Sequence, residues 1–136
     1  MVIAHTGIKV TKDDIAKVAE WYERTLAPLG YKKTRSFYDG LATGFSDHLD
    51  GNDADWWVSG VLEGQTALSV VVPNSHHAFI AKDRAAVDEF HKAGVEAGGK
   101  CNGPPGVRAH YGPNYYAAFV FDPAGNNIEV AYNGPA

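Results

Sequence analysis

The segment DPAGNNIEVAYNG, Asp122–Gly134, joins a tight turn to a strand that carries a charge. Pro, Gly and Asn are favoured in turns, whereas Ile128 and Val130 are β-branched residues that favour strands. Glu129 lies between these two apolar residues, although the chain has ample surface for its charges. A carboxylate inside a buried strand needs a partner that offsets its desolvation. The segment therefore predicts a polar site beside Glu129.

An earlier part of the chain repeats this ending. The segment DGNDADWWVSG (Asp50–Gly60) aligns with AGNNIEVAYNG (Ala124–Gly134), and the alignment places Trp57 opposite Glu129. Each copy has a Gly-Asn turn, such as Gly51–Asn52, then a strand and an exit of small residues. The two copies indicate that the chain consists of two similar halves.

The beginnings of the halves also correspond. HTGIKV, from His5, predicts a strand, and apolar residues at helical spacing follow it until Pro28 and Gly30 end the helix. HHAFIA, from His76, predicts the equivalent strand before a helix that Gly98–Gly99 ends. Thr11 and Asp83 are the expected helix caps. Between helix and final strand, the pattern predicts two further strands in the first half, near residues 32–37 and 41–45. In the second half only one further strand is clear, near residues 115–122.

These patterns predict an α+β fold of two paired β-α-β-β-β modules. We expect one curved, mostly antiparallel sheet around a cleft, with the helices outside. A single domain would span residues 1–136, with module one at about 1–62 and module two at about 66–136. The alternative is an ordinary α+β sandwich whose halves are similar by chance.

Composition limits the function classes. The chain has 136 residues, of which 45% are hydrophobic, and a net charge of −4 without a basic run, so we expect no nucleic-acid partner. No segment is apolar enough for a signal peptide or a membrane span, which predicts a soluble, cytoplasmic protein. The one cysteine, Cys101, excludes an internal disulfide. It has no evident base nearby, so we predict no nucleophile there.

Strand alternation selects the residues that face the cleft. Because Phe79 corresponds to the apolar helix-facing position of the first strand, His76 rather than His77 corresponds to His5. This choice depends on one residue of register, so His77 remains the alternative candidate to His76. Glu129 faces the cleft because its two apolar neighbours face the helices.

Two histidines and one carboxylate in a cleft form the ligand set of an open metal site. His5, His76 and Glu129 are therefore candidate ligands of a divalent ion, for which Zn, Fe, Mn and Ni are all suitable. The alternative is that each histidine is hydrogen-bonded and that Glu129 pairs with Lys9 or Arg108.

An irregular loop, GPPGVRAHYGPNYYAAF (Gly103–Phe119), supplies further candidates. Arg108 could hold a substrate carboxylate or enolate, and His110 and Tyr115 are candidate acid or base groups. We also expect substrate contacts from Trp57, Arg108, Tyr111, Tyr115 and Phe119. If Phe119 pairs across the hairpin with Glu129, Tyr115 faces the cleft as well. The alternative is that this loop only closes the sheet end, with Arg108 bonding carbonyl groups. The remaining histidines, His48, His77 and His91, are interpreted as structural or exposed.

The repeat, the strand histidine that begins each module and the DPxGNxIE ending resemble the vicinal oxygen chelate superfamily. That superfamily includes glyoxalases, extradiol dioxygenases, fosfomycin-modifying enzymes and bleomycin-resistance binding proteins. The segments LAPLGY (Leu26–Tyr31), DRAAVDEFH (Asp83–His91) and RAHYGPNYYAAFVFDPAGNNIEV (Arg108–Val130) are similar to a small glyoxalase-like branch.

This resemblance implies a homodimer and metal ligands at His5, His76 and Glu129. The fourth ligand position of glyoxalase-type members maps near Trp57, which cannot bind a metal, so a three-ligand site fits better. The implied function is a metal-dependent lyase or dioxygenase that acts on a small oxygenated substrate. The alternatives are a metal-free protein that sequesters a drug-like ligand and a fold that acts through protein contacts. We expect His5 and Glu129 to lie close together, within one chain or across the dimer.

Overall fold

The computed structural model describes residues 4–48, 54–61 and 75–135. Module one comprises β1 (Thr6–Val10), α1 (Ile15–Leu26), a 3₁₀ turn (Ala27–Leu29), β2 (Lys32–Phe37), β3 (Ala42–Ser46) and β4 (Trp56–Gly60). Module two comprises β5 (His76–Ile80), α2 (Arg84–Glu96), β6 (Lys100–Val107), β7 (Tyr115–Phe121) and β8 (Asn127–Asn133). The predicted Gly51–Asn52 turn and the module boundary near residues 62–66 lie outside the described residues. Neither of the described helices is long and apolar enough to cross a membrane.

The α+β class and the paired β-α-β-β-β modules are confirmed. The strand orders are β1-β4-β3-β2 in one sheet and β5-β8-β7-β6 in the other, so β1 and β5 occupy equivalent edges. In each sheet the first strand runs parallel to the last, and the remaining pairs are antiparallel. The described strands thus form two four-stranded sheets rather than the predicted single sheet. Aromatic side chains pack across the module junction, where Trp56 contacts Phe79 with ring centroids 5.2 Å apart.

The strand β6 is the element that the sequence pattern does not reveal. Its segment, KCNGPPGV, has two prolines and two glycines, a composition typical of turns. A strand forms there because β6 is an edge strand, where a missing N–H and an irregular ladder are tolerated. The pairing with β7 shifts register between Cys101 and Gly103 and again between Gly103 and Gly106.

The two helices begin differently. The Asp83 carboxylate accepts a hydrogen bond from the Ala86 backbone N–H at 2.8 Å, which confirms the predicted cap of α2. Thr11 does not cap α1, which begins at Ile15 after Asp14. The Thr11 hydroxyl instead donates to the Asp14 carboxylate at 2.6 Å, which holds the turn that leads into the helix.

A shared core joins the modules through their helices. The Trp21 indole N–H donates to the Gly94 carbonyl at 2.9 Å, from α1 to α2. A Cβ atom at Gly94 would lie 3.1 Å from the Thr25 methyl group and 3.4 Å from the Trp21 ring. Gly94 therefore permits the close approach of the helices. The large fully buried side chains come from both modules and include Trp21, Tyr22, Phe45, Trp56, Val87, Phe90, Val120, Ile128 and Val130.

The turn before β8 is organised by one buried carboxylate. Asp122 is 4% exposed and accepts hydrogen bonds from the backbone N–H groups of Ala124 and Asn126 and from the Asn126 side chain. Its fourth donor is the Tyr22 hydroxyl of module one, at 2.7 Å. Burial, together with the charge of Asp122, raises the pKa of Tyr22 above its ordinary value, so this hydroxyl keeps its proton. Asp122 thus fastens the turn to the other module.

We expect Tyr22→Phe to lower the free energy of unfolding by about 2 kcal/mol, because a hydrogen bond to a buried charged group is lost. Urea unfolding followed by fluorescence measures this change. Tyr38→Phe is the matched control, since Tyr38 is 68% exposed and its change should stay within about 0.5 kcal/mol. Equal stabilities for the two variants would contradict the role of the Tyr22–Asp122 bond.

Candidate functional site

In module two, successive residues of β8 face alternately the core and the candidate site. Ile128 and Val130 are fully buried in the core, and Glu129 lies on the opposite face of the same strand. The Glu129 Oε2 atom lies 3.1 Å from His76 Nε2 on β5. Phe119 pairs directly with Glu129 across the β7–β8 hairpin, which is the predicted register. We call this face of the second sheet the His76–Glu129 face.

Glu129 is almost completely enclosed, with 5% of its surface exposed. Its other oxygen, Oε1, accepts a hydrogen bond from the Tyr115 hydroxyl at 2.7 Å. Desolvation and this hydrogen bond raise the pKa of Tyr115 to about 12, so the phenol is protonated at neutral pH. Both carboxylate oxygens of Glu129 therefore have a polar partner, and these partners offset the desolvation of a charge inside this strand.

Two asparagines orient the ring of His76. The His76 Nδ1 atom lies 3.2 Å from the backbone oxygen of Asn127 and 3.1 Å from its side-chain nitrogen. The Asn102 amide donates to the Asn127 side-chain oxygen at 3.0 Å, which fixes the direction of that amide. Sequence reasoning missed both asparagines, although Asn127 has the same strand parity as Glu129. Nδ1 can donate to the Asn127 carbonyl or accept from the Asn127 amide, depending on the tautomer of the ring. In the first tautomer Nε2 is free to bind a cation, and in the second Nε2–H donates to Glu129.

His77 lies on the core side of β5. Its ring meets the Trp56 ring edge-on, with centroids 4.7 Å apart. Burial, with a smaller effect of His76, lowers the pKa of His77, which keeps it neutral at pH 7. The neighbouring Phe79 is buried on the same side. Of the two adjacent histidines, His76 is therefore the one that contacts Glu129.

Aromatic and cationic groups extend the His76–Glu129 face. The Arg108 guanidinium lies over the Phe119 ring at 5.6 Å and donates to the Pro104 carbonyl at 2.6 Å. Tyr111 meets the Tyr115 ring edge-on at 5.4 Å, and His110 packs against Tyr111 at 4.1 Å. The structure thus brings together the candidates of the second module. The alternative, that Arg108 binds carbonyl groups, also holds for one of its nitrogens, which donates to Pro104.

The candidates of module one lie elsewhere. His5 is exposed and borders a shallow cavity of about 340 Å³ together with Lys9 and Trp57. The Trp57 indole stacks on Phe37 at 5.9 Å and donates to the Ala54 carbonyl at 2.9 Å. Trp57 therefore forms an apolar wall in its own module.

Within the described part of the chain, only Asp47, His48 and Asp55 bring three potential metal-ligand atoms within 4.8 Å of one another. They border a second cavity of about 490 Å³ at the module junction, which His5 also lines. His48 presents Nδ1 to Asp47 at 3.6 Å and Nε2 to Asp55 at 4.0 Å, so its two nitrogens point to different carboxylates. One metal ion would bind only one of these nitrogens, so the three residues are a possible ligand group, although exposed acidic groups are common without an ion. His5, His76 and Glu129 do not form such a group in one chain.

The His76–Glu129 pair nevertheless fits a metal ion. Two donor atoms that bind one divalent ion, each at about 2.1 Å, are about 3.0 Å apart when their bonds meet at a right angle and about 3.4 Å apart at the tetrahedral angle of zinc. The His76 Nε2 to Glu129 Oε2 distance is 3.1 Å, and both are ligand types that divalent transition metals accept. The pair would supply two of the three protein ligands that a catalytic zinc site uses.

Residues 2–130 match the family model of the Glyoxalase/Bleomycin resistance protein/Dioxygenase superfamily. The chain belongs to this superfamily. A comparison with curated protein sequences gave no significant match. The superfamily includes enzymes that bind divalent metals, but membership alone does not define a reaction.

Solved structures share the fold at low sequence identity. A glyoxalase/bleomycin resistance protein from Albidiferax ferrireducens T118 is 22% identical with a TM-score of 0.68, covering 95% of this chain and 98% of its own. A glyoxalase/bleomycin resistance protein/dioxygenase family enzyme from Burkholderia phytofirmans PsJN is 16% identical with a TM-score of 0.70, covering 98% and 100%. A lactoylglutathione lyase from Agrobacterium tumefaciens is 20% identical with a TM-score of 0.64, covering 96% and 92%.

The contact between Tyr115 and Glu129 can be tested by titration. We expect Glu129→Gln to lower the pKa of Tyr115 from about 12 towards the ordinary tyrosine value of 10, because the negative charge that disfavours the phenolate is removed. The desolvation of the phenol persists, so the pKa should stay above 10. Carbon-13 NMR of labelled tyrosine follows the titration, with Glu96→Gln as the control. An unchanged pKa of Tyr115 would show that the carboxylate does not contact it.

Proposed function

We propose that this protein is a metal-dependent enzyme of lyase or dioxygenase type that acts on a small oxygenated molecule. The observation that carries the proposal is the enclosed Glu129 carboxylate, 5% exposed, with a histidine nitrogen 3.1 Å from it. An acid in this position is costly unless a cation or strong donors offset its desolvation. The superfamily supplies the expectation of a divalent ion, and His76 and Glu129 are suitable ligands.

The third ligand in this proposal is His5 from a second copy of the chain. His5 is exposed, and β1, which follows it directly, is an edge strand of its sheet. Ile80, on the edge strand of the other sheet, is 89% exposed, an unusual position for a large apolar side chain. A homodimer that covers these two edges would bury both His5 and Ile80. It would also bring the His5 of one subunit towards the His76–Glu129 face of the other.

The residues of the site have separable roles in the proposed reaction. A divalent ion held by His76 and Glu129 would supply Lewis-acid stabilisation of a substrate oxyanion. Tyr115 is protonated at neutral pH, so it is suited to donate a hydrogen bond or a proton rather than to accept one. Arg108 retains donors beyond the one that binds Pro104 and can orient a substrate carboxylate or enolate. His110 is the candidate that accepts a proton, because imidazole does so near neutral pH.

A metal-free binding protein is the second candidate. The observation that favours it is the lack, in one chain, of a third ligand atom within 4.8 Å of the His76–Glu129 pair among the described residues. The aromatic side chains of Tyr111, Tyr115 and Phe119 would then hold a drug-like ligand by stacking. The two candidates differ in their response to metal ions.

The first test compares melting temperatures with and without chelator. If Glu129 binds a divalent ion, chelation should lower the wild-type midpoint and leave Glu129→Gln unmoved, because bound metal adds stability by mass action. At about one hundred times the dissociation constant, the added stability is about 2.7 kcal/mol. Glu96→Gln, on the exposed end of α2, should respond like the wild type. A wild-type midpoint indifferent to chelator, Zn²⁺, Mn²⁺, Fe²⁺ and Ni²⁺ would favour the metal-free candidate.

The second test asks whether the site is shared between subunits. His5→Ala and Glu129→Gln should each abolish tight metal binding as pure dimers. When the two variants are unfolded together and refolded, each mixed dimer would contain one site with an intact His5 and an intact Glu129. About a quarter of the wild-type sites should return, since about half of the dimers are mixed and each has one intact site. Calorimetric titration with Zn²⁺ measures this recovery, and no recovery would place His5 and Glu129 in the same subunit or exclude His5 as a ligand.

A further inference from the structure

A thiol and an imidazole meet on the outer side of the second module. Cys101 is the only cysteine of the chain and is exposed on the edge strand β6. The His91 Nε2 atom, on α2, lies 3.1 Å from the Cys101 sulfur. The prediction that Cys101 has no base nearby is therefore wrong. The sequence did not reveal the contact because the two residues lie on a helix and a strand that only the packing of the module brings together.

This pair is separate from the His76–Glu129 face. Cys101 pairs with Val120 across the β6–β7 ladder, and directly opposed residues project to the same side of a sheet. Val120 is fully buried in the core beneath the helices, whereas the next residue, Phe119, faces Glu129. Cys101 therefore lies on the helix side of the second sheet, and the proposed metal centre lies on the other side.

The surroundings favour a neutral His91. Burial lowers the pKa of His91, and Asp88, one helical turn earlier, opposes this effect only in part. A neutral imidazole has a lone pair that can accept the proton of a thiol 3.1 Å away. The resulting thiolate is the nucleophilic form of cysteine, and it is paired with an imidazolium in this arrangement.

We propose that Cys101 is a reactive thiol, with His91 as its base, that undergoes exchange with low-molecular-weight disulfides such as glutathione disulfide. His91 Nε2 accepts the thiol proton, and the Cys101 sulfur attacks one sulfur of the disulfide. A new sulfur–sulfur bond forms as the old one breaks, and the leaving thiolate takes the proton from His91. Cys101 becomes oxidised to a mixed disulfide while half of the small disulfide is reduced to a thiol.

The single cysteine makes the test direct, because every thiol signal belongs to Cys101. Purified protein is mixed with glutathione disulfide, and intact-mass spectrometry follows the rate at which the glutathione adduct appears. At pH 7 we expect His91→Gln to react at least about fivefold more slowly than the wild type. An unassisted thiol is only a few per cent thiolate at this pH, so the difference cannot exceed about thirtyfold. His48→Gln, the same change at an exposed histidine away from Cys101, should react like the wild type.

Repeating the reaction at pH 10 separates base catalysis from access to the sulfur. Any ordinary thiol is mostly ionised there, so the wild type and His91→Gln should react at similar rates. Equal rates at pH 7 would overturn the proposal. A difference that persists at pH 10 would also overturn it, because His91 would then only control the shape of the site. Should His91→Gln fail to fold, the wild type alone decides, since it must exceed the rate of N-acetylcysteine at pH 7.

Discussion

The buried carboxylate of Asp122 is the interaction on which the rest of the arrangement depends. Its four hydrogen bonds come from the turn before β8 and from Tyr22 of the first helix. A buried charge is stable only when its acceptor positions are satisfied, so this carboxylate requires both the turn and the contact with α1. One residue thus fixes the entry of the last strand and joins it to the other module. The position of Glu129, seven residues later, follows from that anchor.

The two modules share a strand order but differ in the polar residues that they carry. Both modules use the same strand order, and the first and last strands run side by side in each. In module two these strands present His76 and Glu129 to each other, whereas in module one the position equivalent to Glu129 holds Trp57. Trp57 stacks on Phe37 and contributes only apolar surface and an indole N–H. The polar residues of the proposed centre therefore come mainly from the second half, with His5 as the contribution of the first.

Two polar pairs lie on opposite sides of the same sheet. Glu129 is enclosed and accepts a hydrogen bond from Tyr115, whereas His76 is half exposed beside Asn127, and the geometry of the pair suits a cation. The Cys101–His91 pair is exposed between an edge strand and a helix, and its geometry suits proton transfer from a thiol. A histidine has a different role in each because its partner is a carboxylate in one case and a thiol in the other. The sheet keeps the two sites apart, so each can be altered without direct contact with the other.

Local sequence determined the features that depend on strand and helix periodicity. The β-α-β-β-β repeat, the opposite faces of His76 and His77 and the pairing of Phe119 with Glu129 all follow from alternation and turn positions, because these are fixed by neighbouring residues. The β6 strand was hidden by its prolines and glycines, since an edge position tolerates a composition that a central strand would not. Only the tertiary structure decided the division into two sheets, the lack of a His5–His76–Glu129 ligand group within one chain, the contact of Asn102 with Asn127 beside His76 and the contact of Cys101 with His91. Each of these depends on how separate elements pack, and no local period of the sequence encodes that packing.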